Sequence, residues 1–156
     1  MPVLIRELEE RDLDAVARLG AQLVRQHHGF DAAHFFIMEP VEEGYRWFLG
    51  SQLGDPDTLL LVAEVDGAIA GYLYGSVEER DWALLLDEYG AIHDLYVDAA
   101  FRQQGVAKAL MTEGLKRLGE RSPRIVLNTA TQNAAAQKLF ASLGFRPTMV
   151  EMTRTR

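Results

Sequence analysis

A chain of 156 residues with 48% hydrophobic and 25% charged side chains can bury a substantial core and reads as one domain, residues 1–156. Its formal net charge of −7 argues against nucleic acid as a partner, because a phosphate backbone needs a positive footprint. No apolar run approaches the roughly 20 residues that span a bilayer, no basic-then-apolar leader opens the chain and there is no cysteine; the reading is cytoplasmic, without membrane contact, disulfide, thiolate metal site or cysteine nucleophile.

Val3 to Leu8 reads as a first strand. Asp12 can cap a helix running to about His27, with Leu13, Val16, Ala17, Leu19, Leu23 and Val24 as its apolar stripe and Gly29 as its end. His27, His28 and His34 lack metal-ligand spacing and a carboxylate at a helical offset, so no metal site is expected. Pro40 can open a second helix from Val41 to about Leu53. Glu39, Glu42 and Glu43 complement the dipole at its start, which is a simpler account of them than amine recognition.

Leu59 to Val65 and Ala68 to Val77 flank Asp66-Gly67, a strong hairpin signal. Gly71 and Gly75 suggest a strand lying close to a neighbouring backbone. Glu78 to Glu88 is a charged loop carrying Trp82. Ala91 to Val97 is a strand, Asp98 to Gln104 a turn, and from Gly105 a helix begins, with Val106, Leu110, Met111, Gly114 and Leu118 on one face. Arg124 to Thr129 is a short strand, Asn133 to Leu143 a helix stopped by Gly144, and Thr148 to Thr153 a last strand.

The centre of this order is the strand, turn and helix start from Ala91 to Leu110. The first amides of a helix have no partner inside it, and the dipole adds partial positive charge there. With Gly105 letting the backbone approach and Ala107 adding little bulk, the amides of Gly105 to Lys108 suit an anion such as a pyrophosphate.

Arg102-Gln103-Gln104-Gly105-Val106-Ala107 resembles the Gln/Arg-x-x-Gly-x-Gly/Ala pattern of the GNAT N-acetyltransferase superfamily. Leu95-Tyr96-Val97 stands at the family's distance before it, and Asn133, Ala136, Leu139-Phe140 and Leu143-Gly144-Phe145 resemble the family's second cofactor segment. The resemblance implies an α/β (α+β) GNAT fold, with a mixed central sheet of six to seven strands, about four helices, and fourth and fifth strands splayed around the cofactor. It implies acetyl-CoA as acyl donor and no metal. Pantetheine would pair with the backbone of Leu95 and Val97, beside Tyr96, the Val97 amide would polarise the thioester carbonyl, and the diphosphate would sit on the loop from Gln103 to Lys108. Arg102 and Lys108 add charge, and Asn133 and Phe140 belong to the second segment. A homodimer is common in the family, and this chain carries no signal for or against one.

The implied reaction is acetyl transfer to a primary amine of a small molecule or peptide. An alkylammonium of pKa about 10.4 must lose a proton before it can attack. His93 is the first candidate base and Asp94 the second; alternation along a strand lets only one of them face the cleft, and the bulge that the resemblance implies keeps parity from deciding which. Phe140 stands where many family members carry a tyrosine that protonates the departing thiolate. Without cysteine the attack would be direct, in a ternary complex. The competing reading, which Phe140 keeps open, is a non-catalytic acyl-CoA sensor.

Overall fold

Alternation along one strand divides the core into two layers. In the computed structural model, which describes residues 2–156, strand β2 (Thr58–Val65) turns Leu61, Ala63 and Val65 to one face of a sheet and Leu60 and Val62 to the other. The elements in order are β1 (Leu4–Glu7), α1 (Leu13–Phe30), α2 (Val41–Gln52), β2, β3 (Ala68–Glu78), β4 (Tyr89–Val97), α3 (Val106–Gly119), β5 (Ile125–Leu127) and α4 (Ala134–Ser142). The strands lie in the order β1–β2–β3–β4–β5, antiparallel except for the parallel pair β4–β5.

Val106, Leu110, Met111 and Leu118 of α3 pack with Phe140 of α4 onto Leu61, Leu73 and Ile92. On the other face Leu13, Val16 and Leu19 of α1 and Leu49 of α2 pack onto Leu60, Val62 and Tyr72. The result is an α/β fold with helices on both faces of a mixed sheet. Gly71 and Gly75 do mark a close approach: a Cβ on either would lie 2.8 Å from the carbonyl oxygen of Tyr96 or Ala91. Among the described residues no helix is long and apolar enough to cross a membrane.

Three expectations change. Among the described residues the sheet has five strands rather than six or seven, because Thr148 to Thr153 forms no ladder. A strand needs a partner as well as suitable residues; here Met149, Val150 and Met152 are exposed, and the segment is tied instead by Glu151 and Thr153 to His34 at 3.0 and 2.9 Å. Gly29 does not stop α1, which continues through Phe30. Asp12 precedes α1 without capping it; its carboxylate accepts from the Glu9 amide at 2.8 Å and from Arg6 at 2.7 Å, and the guanidinium holds it below the usual aspartate range.

Candidate functional site

The register of β4 against β3 breaks at one residue. Tyr74 faces Asp94 and Gly75 faces Ile92, which leaves His93 as an extra residue with no ladder partner. A bulge of this kind shifts the side-chain alternation beyond it. Alternation allowed one of His93 and Asp94 to face the α1/α2 side; the bulge turns both there. The imidazole lies 4.8 Å from the Tyr74 ring, and the Asp94 carboxylate is reached by Tyr45 and Tyr72, both packed in the α1/α2 layer.

Asp94 Oδ2 accepts from the phenols of both tyrosines, that of Tyr72 at 2.9 Å. Burial raises the Asp94 carboxyl, and the two phenolic hydrogen bonds oppose the rise. Burial likewise pushes up the phenols of Tyr45 and Tyr72, with the Asp94 charge adding to it, so both remain protonated donors. His93 Nε2 lies 2.7 Å from Ser76 Oγ, which lies 2.6 Å from Glu78 Oε1. Beyond Ser76 and Glu78 opens a cleft of about 580 Å³, lined by Asp55, Asp57, Tyr74 and Asp81 among others.

The other edge of β4 is open. Its ladder with β5 ends at the pair Ile92 and Leu127, while β4 continues to Val97. The amide of Asp98 donates to the Ala70 carbonyl at 2.8 Å, on the β3 side. By alternation, Leu95 and Val97 turn their amides and carbonyls to the open edge, and Tyr96 turns its own towards β3. The Val97 carbonyl accepts from Arg102 Nε at 3.2 Å, and the same guanidinium lies 5.4 Å above the Tyr96 ring. Arg102 therefore folds back onto β4.

At the start of α3, Gln103 and Gly105 are left-handed, with φ of 62° and 80°. Gln103, Gln104, Gly105 and Lys108 are exposed, Ala107 is half-buried, and Val106 anchors the turn in the core. Ala109 is the first amide bonded along the helix, 3.0 Å from the Gly105 carbonyl, so the amides of Gly105 to Lys108 have no helical acceptor. Among the described residues nothing stands within 4 Å of where a Gly105 Cβ would be. Asn133 caps α4, its side chain accepting from the Ala136 amide at 3.2 Å. Phe140 is 8% exposed, buried on the α3 side with Phe145 at 6.0 Å.

Tyr45, Tyr72, Ser76 and Glu78 complete the site and are not distinguished by any local motif, since each meets β4 only through long-range packing. Other groups are occupied elsewhere. Arg25 pairs with Glu42 at 2.7 Å and Glu39 at 3.7 Å, which takes up two of the three carboxylates in that acidic cluster. His27 and His28 bond to main-chain carbonyls, and among the described residues no group of three or more His, Asp or Glu side chains is arranged to hold a metal.

A splayed parallel strand pair, with one free strand edge leading to an exposed helix start, defines the fold class, and similarity to known proteins gives it a family. Residues 21–145 match the Acetyltransferase (GNAT) family. An uncharacterised N-acetyltransferase of Archaeoglobus fulgidus is 27% identical over 145 residues, 91% of this chain and 92% of that protein. A mutant of the BH1408 protein from Bacillus halodurans superposes with a TM-score of 0.85 at 22% identity, over 98% of this chain and 99% of that one. The aminoglycoside N-acetyltransferase AAC(6′)-Iy in complex with CoA superposes with a TM-score of 0.78 at 21% identity, over 99% and 95% of the two chains. The chain belongs to the GNAT acetyltransferase family, and its enzymatic class is N-acetyltransferase.

Proposed function

We propose that the protein uses acetyl-CoA to acetylate a primary amine of a small molecule or peptide, by direct attack in a ternary complex. The observation that carries this reading is the free edge of β4. It presents the amide and carbonyl of Leu95 and the amide of Val97, and ends at the unpaired amides of Gly105 to Lys108. Such a row suits an extended chain of amides terminating in a diphosphate. The CoA that AAC(6′)-Iy holds in the same fold is in keeping with it.

On the α1/α2 face of β4, His93 takes a proton from the incoming ammonium. The neutral nitrogen attacks the thioester carbonyl carbon, with the Val97 amide stabilising the oxyanion. As the intermediate collapses, the carbon–sulfur bond breaks and CoA leaves as thiolate. The proton still on the new amide nitrogen passes to that thiolate, and His93 returns its own to solvent. Phe140 supplies no proton, and a thiol of pKa near 8.5 leaves without one. The acidic cleft beside Glu78 favours a cationic acceptor.

Release of CoA thiol from acetyl-CoA, measured across a panel of small amines and peptides, tests the proposal. A second reading, an acyl-CoA sensor, draws on the apolar Phe140. Saturable acetyl-CoA binding with no thiol release from any amine would favour it.

A further inference from the structure

We propose that Ser76 and Glu78 are positioning residues that fix the His93 imidazole as its Nε2–H tautomer and so make Nδ1 the nitrogen that accepts the proton. A serine hydroxyl has one hydrogen to give. An ionised carboxylate only accepts, so at 2.6 Å from Glu78 Oε1 the Ser76 hydrogen goes to Glu78. Ser76 Oγ then has only lone pairs left for His93 Nε2, 2.7 Å away. A contact this short between Oγ and Nε2 requires the hydrogen to come from the imidazole. Nε2 therefore carries a hydrogen, and in the neutral ring Nδ1 bears the lone pair, with no hydrogen-bond partner among the described residues.

The surroundings hold this arrangement. Ser76 is 6% exposed, so its hydroxyl is held in place between its two partners, and the Tyr74 ring at 4.8 Å limits rotation of the imidazole. Ser76 faces Ala91 in the ladder, so alternation puts the His93 ring, two residues on, on the same face as Ser76, and the bulge adds Asp94 beside it. Glu78, 3.9 Å from Nε2, lies near enough to stabilise the imidazolium once Nδ1 is protonated.

The catalytic meaning rests on His93 being the base, and two independent readouts separate the claims. In protein labelled with ¹⁵N-histidine, with the His93 signals identified by their loss in His93→Gln, wild type should show a solvent-protected Nε2–H. Ser76→Ala should lose that protection. Turnover by Ser76→Ala should fall roughly tenfold with KM for acetyl-CoA unchanged, and Ser76→Thr should restore it. An Nδ1–H tautomer in wild type, or unaltered protection in Ser76→Ala, overturns the proposal. Protection that is lost while kcat stays the same would also overturn it, by removing its role in the reaction. Full activity in His93→Gln would instead refute the base assignment and leave the tautomer result standing.

Discussion

Tyr72 donates to Asp94 Oδ2 at 2.9 Å although the two are not ladder partners; Tyr72 faces Tyr96, and Asp94 faces Tyr74. Tyr45 of α2 donates to the same oxygen. One carboxylate oxygen thereby joins α2, β3 and β4 immediately beside the bulge, and Asp94 is better suited to bracing that bulge than to exchanging protons with a substrate.

The first prediction concerns pH. Burial raises the Asp94 carboxyl above the ordinary aspartate value of 3.8. A raised carboxyl holds its proton more tightly in the folded chain than in the unfolded one. Its contribution to stability is therefore complete below the ordinary value, declines as pH rises through the raised value, and then levels off. Asp94→Asn has nothing to ionise, and its amide oxygen still accepts from both tyrosines. Its Tm should lack that decline, so that wild type loses ground to the variant as pH rises through the interval. Parallel Tm curves across the interval would contradict the account.

The second follows from the packing of Tyr45. A Cβ added to Gly20 of α1 would lie 2.3 Å from the Tyr45 ring. Gly20→Ala must displace that ring and with it the bond to Asp94, at a cost of roughly 1–3 kcal/mol in denaturant unfolding. In a Tyr45→Ala background the added methyl has room, and its cost should largely vanish. Equal costs in both backgrounds would show that the ring is not what Gly20 accommodates.

The third separates the two neighbours on β4. His93→Gln should lower kcat by roughly 10²- to 10⁴-fold, the usual worth of a general base, with KM for acetyl-CoA little changed. Asp94→Asn should affect turnover far less, because it keeps the acceptor that the tyrosines need. Loss of turnover in Asp94→Asn with normal rates in His93→Gln would reverse the assignment.

What could be read from the sequence was what neighbouring residues decide among themselves. Asp66-Gly67 makes its hairpin, Pro40 precedes its helix, and Gly105 starts α3 in the left-handed conformation that glycine tolerates best. What could not be read depends on register and distant partners. Whether His93 and Asp94 share a face turns on a one-residue bulge against β3, and nothing within Ala91 to Val97 encodes it. Tyr45 meets Asp94 across 49 positions. The segment from Thr148 to Thr153 has strand-like residues, but strand propensity alone does not pair it with the sheet, and it stays outside the ladder.

The last prediction tests the start of α3. A valine at Gly105 would be a poor probe, since φ of 80° strains any β-branched residue and would disturb the turn along with any ligand. Ala107 is the second residue of the helix, where a carboxylate favours the fold through the dipole by about 0.3–1 kcal/mol. The same carboxylate would repel a diphosphate on the neighbouring amides. Ala107→Glu should therefore leave Tm unchanged or slightly raised without ligand. It should also lose most of the stabilisation that acetyl-CoA gives wild type, which at 100 times Kd amounts to about 2.7 kcal/mol. Stability and ligand response moving in opposite directions cannot come from general damage to the helix. A variant that keeps the full acetyl-CoA response would place the diphosphate away from α3.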